Sequence, residues 1–522
     1  MKKIRPAFKF LIIIYLVIFT LQLQAQIITS PEIDILVEKT MKTFQVPGIA
    51  VAIVRGNKVI HCKGYGFCSI KSQQKVDANT LFGIASNTKA FTTAALGMLV
   101  DEKKLTWDDK VVDYIPEFRL YNPYVTEEFT IRDLLTHRSG LGLGAGDLMI
   151  WPGPNNFTTS DIIHNLRYLK PVSGFRTKFD YDNLLYIVAG EVLARASKMS
   201  WEDFIETRIM QPLGMTGSAA TFSRIKDKTN VIDPHVPIDG TLQVIGRDFS
   251  EAGDAAGGIY SNISDMCKWM MMHLNDGKYG DGQEKQLLSK DVHETMWTMQ
   301  TNIPVRSTAP YYTHFYGYGL GWFLGDVNGY KQVAHTGGLG GMVTQVTLIP
   351  EKKLGIVVLT NQQSGEAFKS ITNTIKDSYL GQKRVDWIKQ YSELANQDKQ
   401  NAQKITDAVW KEVDLQQKDS SLKLDEGKYA GSYMDSWFGE VIISIKNGKL
   451  WFDSKKSPKI TGELLPYREN TFVVKWNDRS MDADAYVTFN TDQTGKANAI
   501  KMKAISPLTD FSFDFHDLDL RR

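Results

Sequence analysis

Ser86-Asn87-Thr88-Lys89 is the first place in this sequence where residue types and spacing suggest a reaction. The four residues open a helical pattern, and side chains three apart on a helix share a face and touch. A serine hydroxyl is a weak nucleophile until a neighbour takes its proton. A lysine helps when its own pKa is lowered, or when its charge lowers that of another base. The start of a helix also aims backbone N–H groups at the reacting oxygen. Tyr181-Asp182-Asn183 opens a second helical pattern. Beside a lysine ammonium, a phenol of ordinary pKa near 10 is expected to shift enough to shuttle a proton. The Asn183 amide suits a substrate carbonyl. His335-Thr336-Gly337-Gly338 opens a strand, after the glycine-rich stretch 317–322. Glycines there let a substrate lie close to an edge strand. The Gly338 N–H can pair with that of Ser86 as an oxyanion hole.

Several elements must hold these groups. IAVAIVR (49–55), a Gly56-Asn57 turn and a second strand over 59–64 make an antiparallel hairpin. MVTQVTLIP and KLGIVVLTN, turning at 350–353, make another. Between them lie helical patterns such as KAFTTAALGMLVDEKK and NLLYIVAGEVLARAS. Strands at both ends with helices between predict an α/β sheet closed by sequence-distant strands, with a helical lobe inserted, over residues 26–380. Residues 381–425 are polar and charged and read as a helical connector. Residues 426–522 change character. EVIISIK, Asn447-Gly448 and KLWFD form a strand, a type I′ turn signal and a strand. NTFVVKW, DAYVTFN and FSFDFHD continue the strand pattern, which predicts a small all-β barrel or sandwich.

Composition excludes more than it assigns. The 522 residues are too many for one small core and predict two or three units. With 61 Lys+Arg against 59 Asp+Glu, the net charge of +2 lacks the basic excess of a nucleic-acid binder. Lys2, Lys3, Arg5 and Lys9 precede an apolar run over 10–21, and Leu23-Gln24-Ala25 follows it. That layout predicts a secretory signal over residues 1–25 and a periplasmic or secreted protein. The run is short against the roughly 20 residues of a spanning helix, and no second stretch is long enough. No stable membrane span is therefore expected after cleavage. No zinc-spaced Cys/His cluster, H-E-x-x-H, phosphate loop, dinucleotide fingerprint or G-x-S-x-G is present, so neither metal nor cofactor is expected. Cys62 and Cys68, six apart on a strand, are too far apart to bridge. With Cys267 they read as small buried hydrophobes.

Taken in order, S-x-x-K, Tyr-x-Asn and H-T-G resemble the serine β-lactamase and penicillin-binding-protein superfamily. The tyrosine version is similar to its class C β-lactamase, D-alanyl-D-alanine peptidase and esterase branch. LFGIA (81–85), IRDLLTHRSGL (131–141), QPLGM (211–215), AGGIYS (256–261) and VLTN (358–361) add to the likeness, which covers about 32–380. The tail from YAGSY (429–433) resembles the lipocalin-like barrel often appended to this branch.

The resemblance implies roles for particular residues. Ser86 is the acylated nucleophile, and Lys89 and Tyr181 form the proton-transfer network. Asn183 binds the acyl-side amide, and the N–H groups of Ser86 and Gly338 form the oxyanion hole. His335, Thr336 and Gly337 line the substrate. His335 stands where many β-lactamases carry lysine. A mostly neutral imidazole holds a substrate carboxylate less well than a permanent ammonium, so strong β-lactamase activity is not expected. His137 reads as structural rather than as a triad histidine, and Asp254 as part of a turn. The implied activity is hydrolysis of small peptides or peptide-like amides, D-residue-containing or cell-wall-derived. β-Lactams or small acyl esters are the alternative, and a binding protein that lost turnover is the non-enzymatic one. Assembly of identical subunits is compatible with either.

Overall fold

The computed structural model describes residues 27–247, 250–305, 309–418 and 424–522. The expected export signal over 1–25 lies outside the described residues. The longer helices are α1 (Ser30–Phe44), α2 (Thr88–Asp101), α3 (Leu184–Ser197), α4 (Ile263–Leu274), α5 (Gly365–Leu380) and α6 (Trp387–Lys418). Eight strands form the main sheet: β1 (Gly48–Arg55), β2 (Lys58–Gly66), β3 (Thr301–Asn302), β4 (Tyr316–Tyr318), β5 (Phe323–Val327), β6 (Tyr330–Leu339), β7 (Met342–Ile349) and β8 (Leu354–Thr360). Their order is β2-β1-β8-β7-β6-β5-β4-β3, with antiparallel neighbours throughout. The hairpin near the start of the domain thus closes onto the last strand, Ile49 opposite Thr360.

β1 shows why an apolar run makes this strand. Successive side chains point to opposite faces. Ile49, Val51 and Ile53 join the α1 and α5 residues Ile33, Val37, Ile371 and Ile375 on one face. Ala50, Ala52 and Val54 join the main core on the other. Helix α2 is buried from Thr88 to Leu99. A helix without a polar face belongs in a core, and its small residues Ala90, Ala94, Ala95 and Gly97 let neighbours come close.

The family-like motifs have structural work to do. Asp133 of IRDLLTHRSGL is fully buried and accepts from Arg138 Nε and Arg176 Nε, each at 3.0 Å, and from the Thr130 cap. Removing either guanidinium leaves a buried carboxylate short of a partner, a loss softened by the second guanidinium and the Thr130 cap that remain. Asn361 of VLTN accepts from Gly48 N at 2.7 Å and donates to the Phe67 and Cys68 carbonyls, tying the first hairpin to β8.

The region after α5 departs from expectation in two places. The two helical stretches of the connector are one helix, α6, of 32 residues. Its Val409 and Val413 pack against Leu465, Val473 and Ile505 of the barrel. The barrel itself closes with eight strands, from Gly431–Asp435 to Leu520–Arg521. Asn447 and Gly448 both have positive φ, as a type I′ turn requires. The second departure is FSFDFHD. It forms no strand; residues 511–514 run as irregular chain into a short 3₁₀ turn, Phe515–Asp517. The alternation is real but serves two domains. Phe513 and Phe515 enter the barrel core, while Ser512 and Asp514 hydrogen-bond to the helical lobe.

The three cysteines are free thiols. The neighbour of Cys62 is Cys267, its hydrogen-bonding partner, rather than Cys68. Among the described residues no helix is long and apolar enough to cross a membrane.

Candidate active site

Ser86 sits on a 3₁₀ turn, Ala85–Asn87, that runs directly into α2. Ala85 has φ of 50°, left-handed for a residue with a Cβ. That backbone costs about 1 kcal/mol or more and persists only where the surroundings enforce it. They do so here through Thr344 of β7, which donates to the Ile84 carbonyl at 3.0 Å and accepts from Asn87 Nδ2 at 2.9 Å. Gly337 of β6 presses on the same turn. A Cβ there would lie 2.2 Å from the Ile84 oxygen, so only glycine fits. Gly338 faces open space and lines the cleft.

One turn into α2, Lys89 is completely buried. Its Nζ lies 3.0 Å from Ser86 Oγ, 2.7 Å from Asn183 Oδ1 and 3.0 Å from the Ala256 carbonyl. Burial brings its pKa down to about 7, against the opposing pull of Asp147 and Asp182. As an ammonium, Lys89 donates to all three oxygens; the neutral amine fits the same positions. Its two hydrogens go to the two oxygens that can only accept, Asn183 Oδ1 and Ala256 O. The lone pair is left for the hydroxyl of Ser86, which can donate. The Ala256 carbonyl belongs to the AGGIYS stretch, whose neighbour Asp254 is the first residue of a short buried helix, Asp254–Gly257, rather than part of a simple turn. Burial first, then Glu202 and Glu251, raise the Asp254 pKa to about 9.

Tyr181 lies beside this group, with its ring centroid 4.9 Å from Lys89 Nζ and Ser86 as a hydrogen-bonding neighbour. The expected lowering of its phenol does not occur. Burial dominates and pushes its pKa well above 10, so Tyr181 holds its proton in the resting site. Asn183 has its orientation fixed from behind, since its Nδ2 donates to Asp147 Oδ2 at 2.8 Å. Asp147, buried on a 3₁₀ turn (Asp147–Met149), carried no motif and was missed by sequence reasoning. Burial raises its pKa to about 7.

His335 is placed at the cleft but buried. Its Nδ1 lies 2.6 Å from the Thr336 carbonyl, which only accepts, so Nδ1 carries the proton. Nε2 then accepts from the Tyr318 hydroxyl at 3.0 Å. Burial, then Lys89, lowers its pKa to about 3. Both nitrogens are spent inside the protein, so the neutral ring is a wall of the cleft and not a hydrogen-bond donor to a ligand. Thr336 lines the cleft beside it. His137 is fully buried, accepts at Nδ1 from Asp182 N at 3.1 Å, and packs its ring 4.2 Å from that of Tyr181.

The groups face a cleft of about 660 Å³. Ile150, Trp151, Phe179, Phe323 and Leu339 give it apolar sides. The opposite side comes from the barrel, residues 480–482 and 508–513. Its charged lining residues are Asp482 and Asp510, and no lysine or arginine is among the described lining residues. No cluster of metal-binding side chains occurs among the described residues either.

Comparison with known proteins places this geometry. Residues 33–379 match the family described as Beta-lactamase, and residues 416–522 match a domain of unknown function, DUF3471. "Unguisins hydrolase ungD" of Aspergillus violaceofuscus is 29% identical over 443 residues, 79% of this chain and 76% of that protein. "Protein flp" of Staphylococcus aureus is 26% identical over 366 residues, 69% of this chain and 68% of its own. Among solved structures, the octameric penicillin-binding protein homologue from Pyrococcus abyssi superposes with a TM-score of 0.61 at 22% identity, covering 95% of this chain and all of that one. A class C beta-lactamase gives 0.54 at 20% identity, covering 68% and 96%.

Proposed function

We propose, from the premise that the chain belongs to the beta-lactamase family and is a serine hydrolase, that it is exported and cleaves small peptides or peptide-like amides through a Ser86 acyl-enzyme. The observation that carries the reading is the buried Lys89 Nζ 3.0 Å from Ser86 Oγ, where burial brings the amine down to about 7. A base with a pKa near the working pH combines availability with driving force. Lys89 takes the Ser86 proton as Oγ bonds to the substrate carbonyl carbon. The oxyanion rests on the N–H groups of Ser86 and Gly338. Tyr181, protonated at rest, gives its proton to the departing nitrogen and is reprotonated from Lys89. Water then attacks the ester carbonyl while the same pair takes its proton, and that proton passes to Ser86 Oγ as the Oγ–carbon bond breaks, which frees the serine and the carboxylic acid product. Asn183 holds Lys89 and faces the acyl-side amide.

The lining supports a substrate class. An apolar cleft without a fixed cation gives no anchor for a carboxylate, and the proton on His335 is turned inward. That favours neutral amides of apolar residues over β-lactams, and the relative named as an unguisins hydrolase supports hydrolysis. D-residue-containing peptides, cell-wall-derived ones included, are the members we propose where no free carboxylate adjoins the scissile amide, with small acyl esters as the second reading because the cleft accepts them on the same grounds. The basic and apolar pattern of residues 1–25 supports export to the periplasm or medium. The octameric Pyrococcus abyssi protein supports assembly of identical subunits.

The test is intact-mass analysis with a panel of D-Ala-D-Ala peptide, D-amino-acid amide, nitrocefin and p-nitrophenyl ester. An acyl adduct on the wild type but not on Ser86→Ala is expected, with turnover of the amides. Turnover of the ester alone sinks the peptidase reading. Equal labelling of Ser86→Ala sinks the nucleophile. N-terminal sequencing of the exported protein checks cleavage before Gln26, and sedimentation checks assembly.

A further inference from the structure

The barrel segment that failed to become a strand does more than wall the cleft. Ser512 Oγ donates to Asp147 Oδ2 at 2.8 Å, the same oxygen that receives Asn183 Nδ2. Asp514 holds the other end of that lobe turn. Its carboxylate accepts from Gly146 N at 2.6 Å and Leu148 N at 3.3 Å. Gly144 makes room for the approach, since a Cβ there would lie 2.7 Å from the Phe511 ring and 2.8 Å from its carbonyl. Its own N–H donates to the Tyr181 carbonyl at 2.8 Å. The lobe turn is therefore sandwiched between Tyr181 and the barrel.

The consequence runs through the orientation of one amide. Asn183 must present Oδ1 to Lys89 and Nδ2 to Asp147 if the Lys89 lone pair is to face Ser86. A flipped amide would set N–H against N–H and turn that lone pair away. An ionised Asp147 forbids the flip, because it only accepts. Resting on the acyl-enzyme reading above, we propose that Ser512 of the barrel is a positioning residue for catalysis: its hydrogen bond to Asp147 locks Asn183, and so aims Lys89 at Ser86.

Burial opposes ionisation of Asp147, and the Ser512 bond favours it. The other groups facing Asp147 are Lys89, Tyr181 and Asp182 from the lobe, and Asp510 and Asp514 from the barrel segment. Lys89 favours the charge while it is itself protonated, whereas the carboxyls oppose it. Removing the Ser512 hydroxyl therefore raises the Asp147 pKa, and the active form is reached only at higher pH. Hydrogen bonds to charged groups of ordinary strength correspond to a shift of about one pH unit.

The experiment compares full-length wild type, Ser512→Ala, Ser512→Thr, Asp147→Ala and the Ser512→Ala/Asp147→Ala pair, using acylation by a fluorophosphonate probe and turnover of a small amide or ester. Ser512→Ala is expected to lower kcat about tenfold with KM nearly unchanged, and to move the acid limb up by about one unit. Ser512→Thr, which keeps the hydroxyl, is expected to restore most of the rate. In the Asp147→Ala background the serine change is expected to cost less than about twofold, because the two act in one chain. Wild-type kcat and pH profile in Ser512→Ala overturn the proposal, as does an effect on KM alone. A full further tenfold loss in the Asp147→Ala background overturns it too. If the wild-type enzyme is not acylated at Ser86, the acyl-enzyme reading itself has failed, a different outcome.

Discussion

One wall of the cleft is built from two helix starts and a sheet strand; the other is an irregular stretch of a separate barrel. The first carries Ser86, Lys89, Tyr181 and Asn183, each within a short motif; Lys89 is buried and the other three are half-buried at the edge of the cleft. The second carries Leu508, Asp510, Phe511 and Ser512, on chain without strand or helix. Reacting groups need fixed positions, which helix starts and strands supply. Groups that choose substrates tolerate variation, and irregular segments over a rigid scaffold supply that. Changes in the first wall should reduce kcat for every substrate. Changes in the second should act on KM and depend on the substrate, with Ser512 as the stated exception.

The largest effect is expected at the first wall. Ser86→Ala and Lys89→Ala should each lower kcat/KM by several powers of ten, and the double variant should be little worse, because they act as one unit. Measured losses that multiply would break the picture of a single proton-transfer group. Gly337→Ala comes next. Its Cβ must displace β6 or the Ile84–Ala85 backbone, and a misplacement of that order costs about a hundredfold in rate. A variant with wild-type kcat would show that the turn yields without moving Ser86.

The second wall should respond more mildly. Leu508→Ala and Phe511→Ala both cut back the apolar lining. Each should raise KM about tenfold for amides with bulky apolar groups, and less for a small ester. Equal losses on every substrate would erase the distinction between the walls. The smallest effects concern pH. Lys89 must be neutral, so activity should rise with pH through about 7 and fade as the amine protonates below it. The linked stability has the matching sign: between about 7 and the ordinary lysine value, the unfolded chain binds the proton that the folded chain refuses. This group therefore makes stability rise with pH in that window. Calorimetry across it checks the sign. His335, with its pKa near 3, stays neutral throughout. His335→Gln should cost less than about tenfold and leave the acid limb in place, and a moved limb would return His335 to the proton chemistry.

The two walls also differ in how far they could be read in advance. Ser86, Lys89, Tyr181, Asn183 and His335 sit in motifs whose spacing has a local cause, a helix turn or a strand opening, and the structure brings all five to one cleft. The sheet, the inserted lobe and the Asn447-Gly448 hairpin were legible for the same reason: each rests on a short-range pattern. Asp147 was not legible, because its partner Ser512 is 365 positions away. FSFDFHD misled because period-two alternation marks two-sidedness, and a loop between two domains is two-sided as well. The inward proton of His335 depends on Tyr318 and a backbone carbonyl, and the high pKa of Tyr181 on how much protein covers it. Neither is written in residue type.

The long interval between Asp147 and Ser512 has a consequence in time. At the usual pace of chain elongation, 365 residues take roughly 20 to 70 s. A nascent chain has its serine and lysine long before it has the hydroxyl that steadies them. On the proposal made for Ser512, the hydrolase would thus be born slow and would reach its full rate only once the barrel has folded back onto the lobe.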